Sequence, residues 1–303
     1  MSFLGVDLLN KGQSKCRLLG CDVTYLTPLP KVGSVLQYKS TLDKHASYRD
    51  SLLIFYHCDC SVGNTPVFRI QNGQGGFFRD QEIENASGID VSLDGLPWTD
   101  TSELGKRLSP QTSKTTFSDE DIQAYLKGDL VTCFGEEIFS LTKTHTQTSR
   151  TQSGNMNFMH RIIELDFEGG PQKRGYLCGE CTIRPDDWFF KAHFKNDPCM
   201  PGVLIVEGCA QMVAFFATAM GLTLNRDEWR FEPVLDHAMT FQFRGEVGPG
   251  TQTLVYKIYI DRIVAGPVPM VFAHAFCLRD GLEIFLGKNL GLRLVPPDRE
   301  GEY

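Results

Sequence analysis

The sequence predicts an α+β fold in which a curved antiparallel sheet wraps a central helix, with a second, partial copy of the same unit ahead of it. Three observations carry this. First, short motifs recur in order along the 303 residues. Phe55, His57, Cys60, Phe68 and Asn72 reappear as Phe272, His274, Cys277, Phe285 and Asn289, each 217 residues later. Leu36, Tyr38, Lys39 and Asp43 match Leu254, Tyr256, Lys257 and Asp261 at a separation of 218. Thr24-Tyr25 matches Thr240-Phe241 at 216, a drift that small loop insertions produce. Second, the repeated segments alternate apolar and polar residues and are rich in β-branched and aromatic side chains, as strands are. Third, residues 203–220 are apolar almost all round, so a helix there must be wrapped by other elements.

Each element follows in order. Residues 35–42 and 253–260 read as strands, each after a Pro/Gly turn at 28–33 and 248–250. Residues 52–67 and 269–286 each contain strands that meet at a turn, around Gly63-Asn64 and Asp280-Gly281. Phe3-Leu-Gly5-Val6 aligns with Ala219-Met-Gly221-Leu222, where the apolar helix ends. Residues 1–80 therefore read as a first unit truncated at its N-terminus, with its central helix largely missing. Residues 81–128 read as a polar linker carrying a short helix. Ser118 is its N-cap, Asp121 stands three residues on, and Gly128 closes it. Residues 129–298 read as the complete second unit.

Composition narrows the function classes. Hydrophobic residues at 42% support a packed core. A net charge of -7, with no basic run, argues against nucleic acid. Residues 1–15 lack a secretory pattern, so the ten cysteines read as reduced thiols and the chain as cytoplasmic. Cys178-Gly-Glu-Cys181 has no second pair at a zinc spacing, so no metal is expected. Residues 201–222 are long enough to span a membrane, but Glu207 and Gln211 are expensive in hydrocarbon. A buried helix is the better reading.

The chemistry concentrates in residues 188–211. Pro201 suits the first turn of a helix, where a missing N–H costs nothing. Glu207 and Gln211, four apart, share one face of it. A carboxyl group on a buried helix must be paired, hydrogen-bonded or protonated. His193 lies on the approach to the same helix. The free N–H groups of Gly202 and Val203 can hold a partly negative oxygen. A base, an acid and an oxyanion donor suit removal of a proton next to a carbonyl, with loss of a hydroxyl one carbon further on.

The ordered set His193, Phe194, Pro198, Pro201, Gly202, Val203, Leu204, Glu207 and Gln211 resembles the active-site signature of hotdog-fold 3-hydroxyacyl-ACP dehydratases. The spelling Asp197-Pro198-Cys-Met-Pro201 and the run Phe243-Arg-Gly245-Glu-Val247 resemble the dehydratase-isomerase branch. That branch usually carries Asp where this chain has Glu207, and the acid here resembles that of the dehydratase-only type. The chain as a whole is most similar to a dehydratase region of polyunsaturated fatty acid synthases, enzymes of polyketide-synthase type.

The resemblance implies a double hotdog and a lyase that converts 3-hydroxyacyl thioesters to trans-2-enoyl thioesters. His193 would be the base and Glu207 the acid. Gly202 and Val203 would bind the thioester, supported by Gln211, with Phe194, Phe190 and Phe215 as acyl-tunnel candidates. It implies no metal and no dissociable cofactor, the substrate riding on the phosphopantetheine of an acyl carrier protein. Other synthase domains, and a second copy of the chain, are the further partners implied. Family sites take His from one unit and the acid from the other. The first unit's counterparts of His193 and Glu207 would fall roughly 25 and 10 residues ahead of Met1 by the repeat. Weak or absent activity of the chain alone is therefore expected, with Glu207 serving across a dimer or the partner acid lying in the missing segment of the first unit. A hotdog thioesterase and a non-catalytic hotdog of a megasynthase are the alternatives. His57 and His274 are expected to be structural, and His160 to lie near a sheet edge without a catalytic role.

Overall fold

The computed structural model describes residues 13–48, 51–105 and 107–297. Its strands form one antiparallel, 11-stranded sheet. They are β1 (Lys15–Tyr25), β2 (Gln37–Tyr48), β3 (Ser51–Val62), β4 (Thr65–Phe78), β5 (Arg161–Asp166), β6 (Tyr176–Thr182), β7 (Arg230–Pro233), β8 (Ala238–Phe243), β9 (Thr253–Val264), β10 (Met270–Arg279) and β11 (Leu282–Val295). The order is β2-β3-β4-β1-β8-β11-β10-β9-β6-β5, with β7 on β11. The duplication is visible in that order. Outward from the central β1–β8 pair, β1-β4-β3-β2 on one side mirrors β8-β11-β10-β9 on the other.

The repeated residues explain the repeated geometry. Asn72 and Asn289 both take left-handed backbone, at φ 50° and 56°. Each sits at a break in register, where β4 meets β1 and where β11 meets β10. These are β-bulges, and Asn tolerates the left-handed region better than most side chains. Asp280 and Gly281, both at positive φ, make the tight turn between β10 and β11. At the centre, Gly20 of β1 pairs with Gln242 of β8. A Cβ there would stand 2.5 Å from the Phe241 carbonyl oxygen, so only glycine permits the approach.

Among the described residues five α-helices accompany the sheet: α1 (Asp80–Glu84), α2 (Asp119–Lys127), α3 (Leu130–Phe134), α4 (Trp188–Ala192) and α5 (Gly202–Ala219). The motif-bearing α5 lies against β6, β9, β10 and β11. It is long and apolar enough to cross a membrane, yet 72% of it is buried inside the protein. Gly208 is required where it crosses β9. A Cβ would come within 2.5 Å of the buried Tyr256 hydroxyl. Ser118 and Asp121 form the capping box of α2, and Gly128 ends it at φ 84°.

Residues 79–128 are more integrated than a linker. Leu96 is buried on the outer sheet face with Phe276 and Leu286, and Ile89, Val91, Leu93 and Trp98 pack around them. The backbone N–H and hydroxyl of Thr99 both donate to the buried Asp261. The sequence places α2 with the linker, but Ile122, Tyr125 and Leu126 join the second unit's core. Among the described residues the first unit has no counterpart of β5, β6 or α5. The expected match of Phe3 to Val6 with a helix end lies outside the described residues.

Candidate active site

The sequence around His193 builds a compact loop. Backbone bonds run from the His193 N–H to the Phe189 carbonyl and from the Cys199 N–H to the His193 carbonyl, at 2.9 and 2.8 Å. Between them, Phe194 and Asp197 exchange backbone hydrogen bonds of 3.0 and 3.3 Å. The Met200 N–H then donates to the Val247 carbonyl, and Pro201 caps α5. The ring Nδ1 of His193 stands 3.1 Å from the Cys199 carbonyl oxygen. A carbonyl can only accept, so Nδ1 carries the proton and the lone pair lies on Nε2. That is the tautomer a general base needs. The Cys199 thiol also lies against Nδ1, at 3.6 Å, and burial pushes its pKa up to about 11.

His193 opens into a cavity of about 660 Å³ together with Phe194, Gly202 and Val203. The opposite wall comes from the first unit, including Arg17, Leu42, Ile54 and Tyr56. The first N–H groups of α5 have no intrahelical partner, so those of Gly202 and Val203 are available to an oxygen. Gly202 must lack a side chain, because a Cβ would meet the Phe243 ring at 2.7 Å. A second cavity, about 500 Å³, lies at the far end of α5 by Phe216 and Met220.

Glu207 does not line the His193 cavity. It follows Val203 by one turn, on the stripe Val203, Val206, Glu207 and Ala210 that the second unit's sheet leaves unburied. That stripe faces the first unit. Burial first, and then the charge of Glu207, raise the pKa of the Tyr25 phenol on β1. Gln211 is 1% exposed and fully engaged. Its amide donates to Glu207 Oε1 at 2.9 Å and to the Met156 carbonyl at 2.7 Å. Its oxygen accepts the Phe158 N–H at 2.9 Å.

Of the three acyl-tunnel candidates, Phe194 is at the cavity, 44% exposed. Phe190 is buried beside Phe189, with ring centroids 4.6 Å apart. Phe215 is fully buried at the centre of an aromatic cluster with Phe117, Tyr125 and Phe134, all at about 5 Å. The helices α2 and α3 cover that face of α5, so Phe215 serves the core. His160 precedes the edge strand β5 and accepts the Thr182 N–H on Nδ1. No group of His, Cys, Asp and Glu side chains among the described residues could hold a metal ion.

Sequence reading missed a charge cluster on the rim of the cavity. Arg17 of β1 grips Asp197, in the His193 loop, through both carboxylate oxygens, at 2.5 and 2.7 Å. It also bonds Glu246, beyond β8, at 2.8 and 2.5 Å. Burial opposes the Arg17 charge, but these hydrogen bonds outweigh it and hold its pKa above the ordinary value. The same bonds overcome the effect of burial on Asp197 and lower its pKa. Asp197 and Glu246 stand in the segments the motif singled out. Arg17 is 180 residues from Asp197 in sequence, and only the pairing of β1 with β8 brings them together.

The family model of the FabA-like domain matches residues 151–288. A subunit of the polyunsaturated fatty acid synthase from Thraustochytrium sp. is 26% identical over 271 residues, which cover 87% of this chain and 18% of that protein. The chain thus spans less than a fifth of that relative. Among solved structures, the tesB protein of Mycobacterium avium subsp. paratuberculosis shares 11% identity at a TM-score of 0.45, over 93% of this chain and 79% of that one. A Lactobacillus plantarum protein described as an oleoyl thioesterase shares 10% identity at 0.47, over 98% and 83%. At these scores neither likeness carries weight for function.

Proposed function

We propose, from a second unit that matches the FabA-like domain, that this chain dehydrates 3-hydroxyacyl thioesters carried on acyl carrier protein to trans-2-enoyl thioesters. The observation that carries the reading is the 3.1 Å contact of His193 Nδ1 with the Cys199 carbonyl, in a cavity the ring shares with the N-terminus of α5. Nε2 takes the C2 proton. The Gly202 and Val203 N–H groups hold the thioester oxygen as charge develops on it. A carboxyl group protonates the leaving C3 hydroxyl, and Glu207, which does not line its own chain's His193 cavity, takes that role in the cavity of a second copy. It sits about 6 Å along the α5 axis from Val203, on the same face, oriented by Gln211. The setting is fatty acid or polyunsaturated fatty acid biosynthesis in the cytoplasm, within a multidomain synthase, with no metal or dissociable cofactor.

The described lining of the cavity contains one carboxyl group, Glu246, and Arg17 already holds it. Slow turnover by the chain alone follows from that arrangement. Incubation with 3-hydroxybutyryl and crotonyl thioesters tests the reading. Interconversion that His193→Ala and Glu207→Gln each abolish supports it. Release of free thiol instead supports a thioesterase. Mixing the two inactive variants decides whether one chain's Glu207 serves another's His193. Restored interconversion means that it does.

A further inference from the structure

We propose that Arg17 is a positioning residue for His193, through which the first unit locks the loop that carries the base. The inference rests on the reading of His193 as base, and its own ground is a saturated guanidinium. Arg17 has five N–H donors. All are used: Nε and Nη2 on Glu246 Oε2, Nη1 and Nη2 on the two Asp197 oxygens, and Nη1 again on the Cys16 carbonyl at 2.9 Å. Three chain segments are thereby pinned at one point: β1, the 193–199 loop and the segment after β8.

The grip reaches the imidazole by a short path. Asp197 closes the turn that begins at Phe194, and two residues later the Cys199 carbonyl accepts the His193 Nδ1 proton. The Glu246 side of the cluster works in parallel, because the next residue, Val247, takes the Met200 N–H. The side chains of Arg17 and Asp197 are only 14% and 19% exposed, so water screens them little. Without the guanidinium, the carboxylates of Asp197 and Glu246 would face each other with like charge. Lys15, 3.5 Å from Asp197, is already engaged with Asp80 at 3.0 Å and cannot replace the fork.

The test uses the full chain and Arg17→Lys, which keeps the charge but not the planar fork. Turnover is measured together with the nitrogen NMR signals of the histidine rings, His193 being assigned by its loss in His193→Gln. Arg17→Lys should lower kcat by about tenfold or more with KM within about twofold. The His193 ring should pass from a single Nδ1-protonated form to a mixture of tautomers. Wild-type tautomer signals in Arg17→Lys overturn the proposal, as does an unchanged kcat. Should that variant not fold, Arg17→Met combined with Asp197→Asn and Glu246→Gln leaves no unpaired charge and is read the same way. Where the wild-type chain does not turn over, the tautomer comparison alone decides the clamp: wild-type signals in Arg17→Lys overturn it.

Discussion

Two histidines at duplicated positions meet opposite surroundings. His57 is exposed and pairs with Asp43 at 2.8 Å. His274 is fully buried under Trp98, whose ring lies edge-on at 4.8 Å. Burial pushes the His274 pKa down from 6.5 to about 4. The unfolded chain therefore binds a proton near pH 6.5 that the folded chain refuses until about pH 4. Stability from this group is complete above 6.5 and falls as pH drops through that window, by about 3 kcal/mol in all. His237 and His160, also lowered by burial, act with the same sign. Urea unfolding at pH 7.5 and pH 5 should show the decline, and His274→Gln should make it shallower. An unaltered slope in that variant would mean that His274 is protonated in the fold. The sequence made these residues legible as a repeated pair. It could not show that one is covered, because the cover comes from a segment outside the repeat.

At the scale of elements, that segment straps the outer face of the second unit. The two outer faces diverged in step with it. Phe276 and Leu286 lie under the strap, and their counterparts in the repeat are Asp59 and Arg69, which pair at 2.8 Å in the open. Leu96→Ala should cost about 3 kcal/mol and expose residues 85–105 to limited proteolysis before the core unfolds. Cleavage no faster than in the wild type would show that the strap does not depend on Leu96. The polar composition of residues 79–114 concealed this, since a few apolar anchors suffice to hold a strap while the rest stays solvated. By contrast α5 was fully legible. Its long run, apolar but for Glu207 and Gln211, and Pro201 at its start leave few other structures. Which of the candidate aromatics would face the cavity was not legible, because what α2, α3 and the first unit place around Phe215 on α5 and around Phe194 on the loop before it is far away in sequence.

At the scale of the whole molecule, the central β1–β8 seam makes the site a joint product of both units. Across it, Thr240 donates to Asp22 at 2.6 Å and Arg244 donates to the Leu19 carbonyl at 2.7 Å, so side chains reinforce the backbone pairing of the seam. The motif in residues 193–211 disclosed the His193 loop and the helix after it, but the opposite wall of the cavity belongs to strands far away in sequence, and only the register of the seam brings them together. Through Arg17 that wall is hydrogen-bonded to Asp197 of the His193 loop. The claim that everything else depends on is that the ring of His193 removes a proton beside a thioester carbonyl. The most direct measurement is wash-out of the C2 protons of a 3-hydroxyacyl thioester in heavy water, followed by proton NMR. It needs the base and the α5 N–H groups but not the acid. The account predicts loss of the C2 signal with the wild-type chain and its persistence with His193→Ala. A C2 signal that survives the wild-type chain, or vanishes equally fast with His193→Ala, would contradict it.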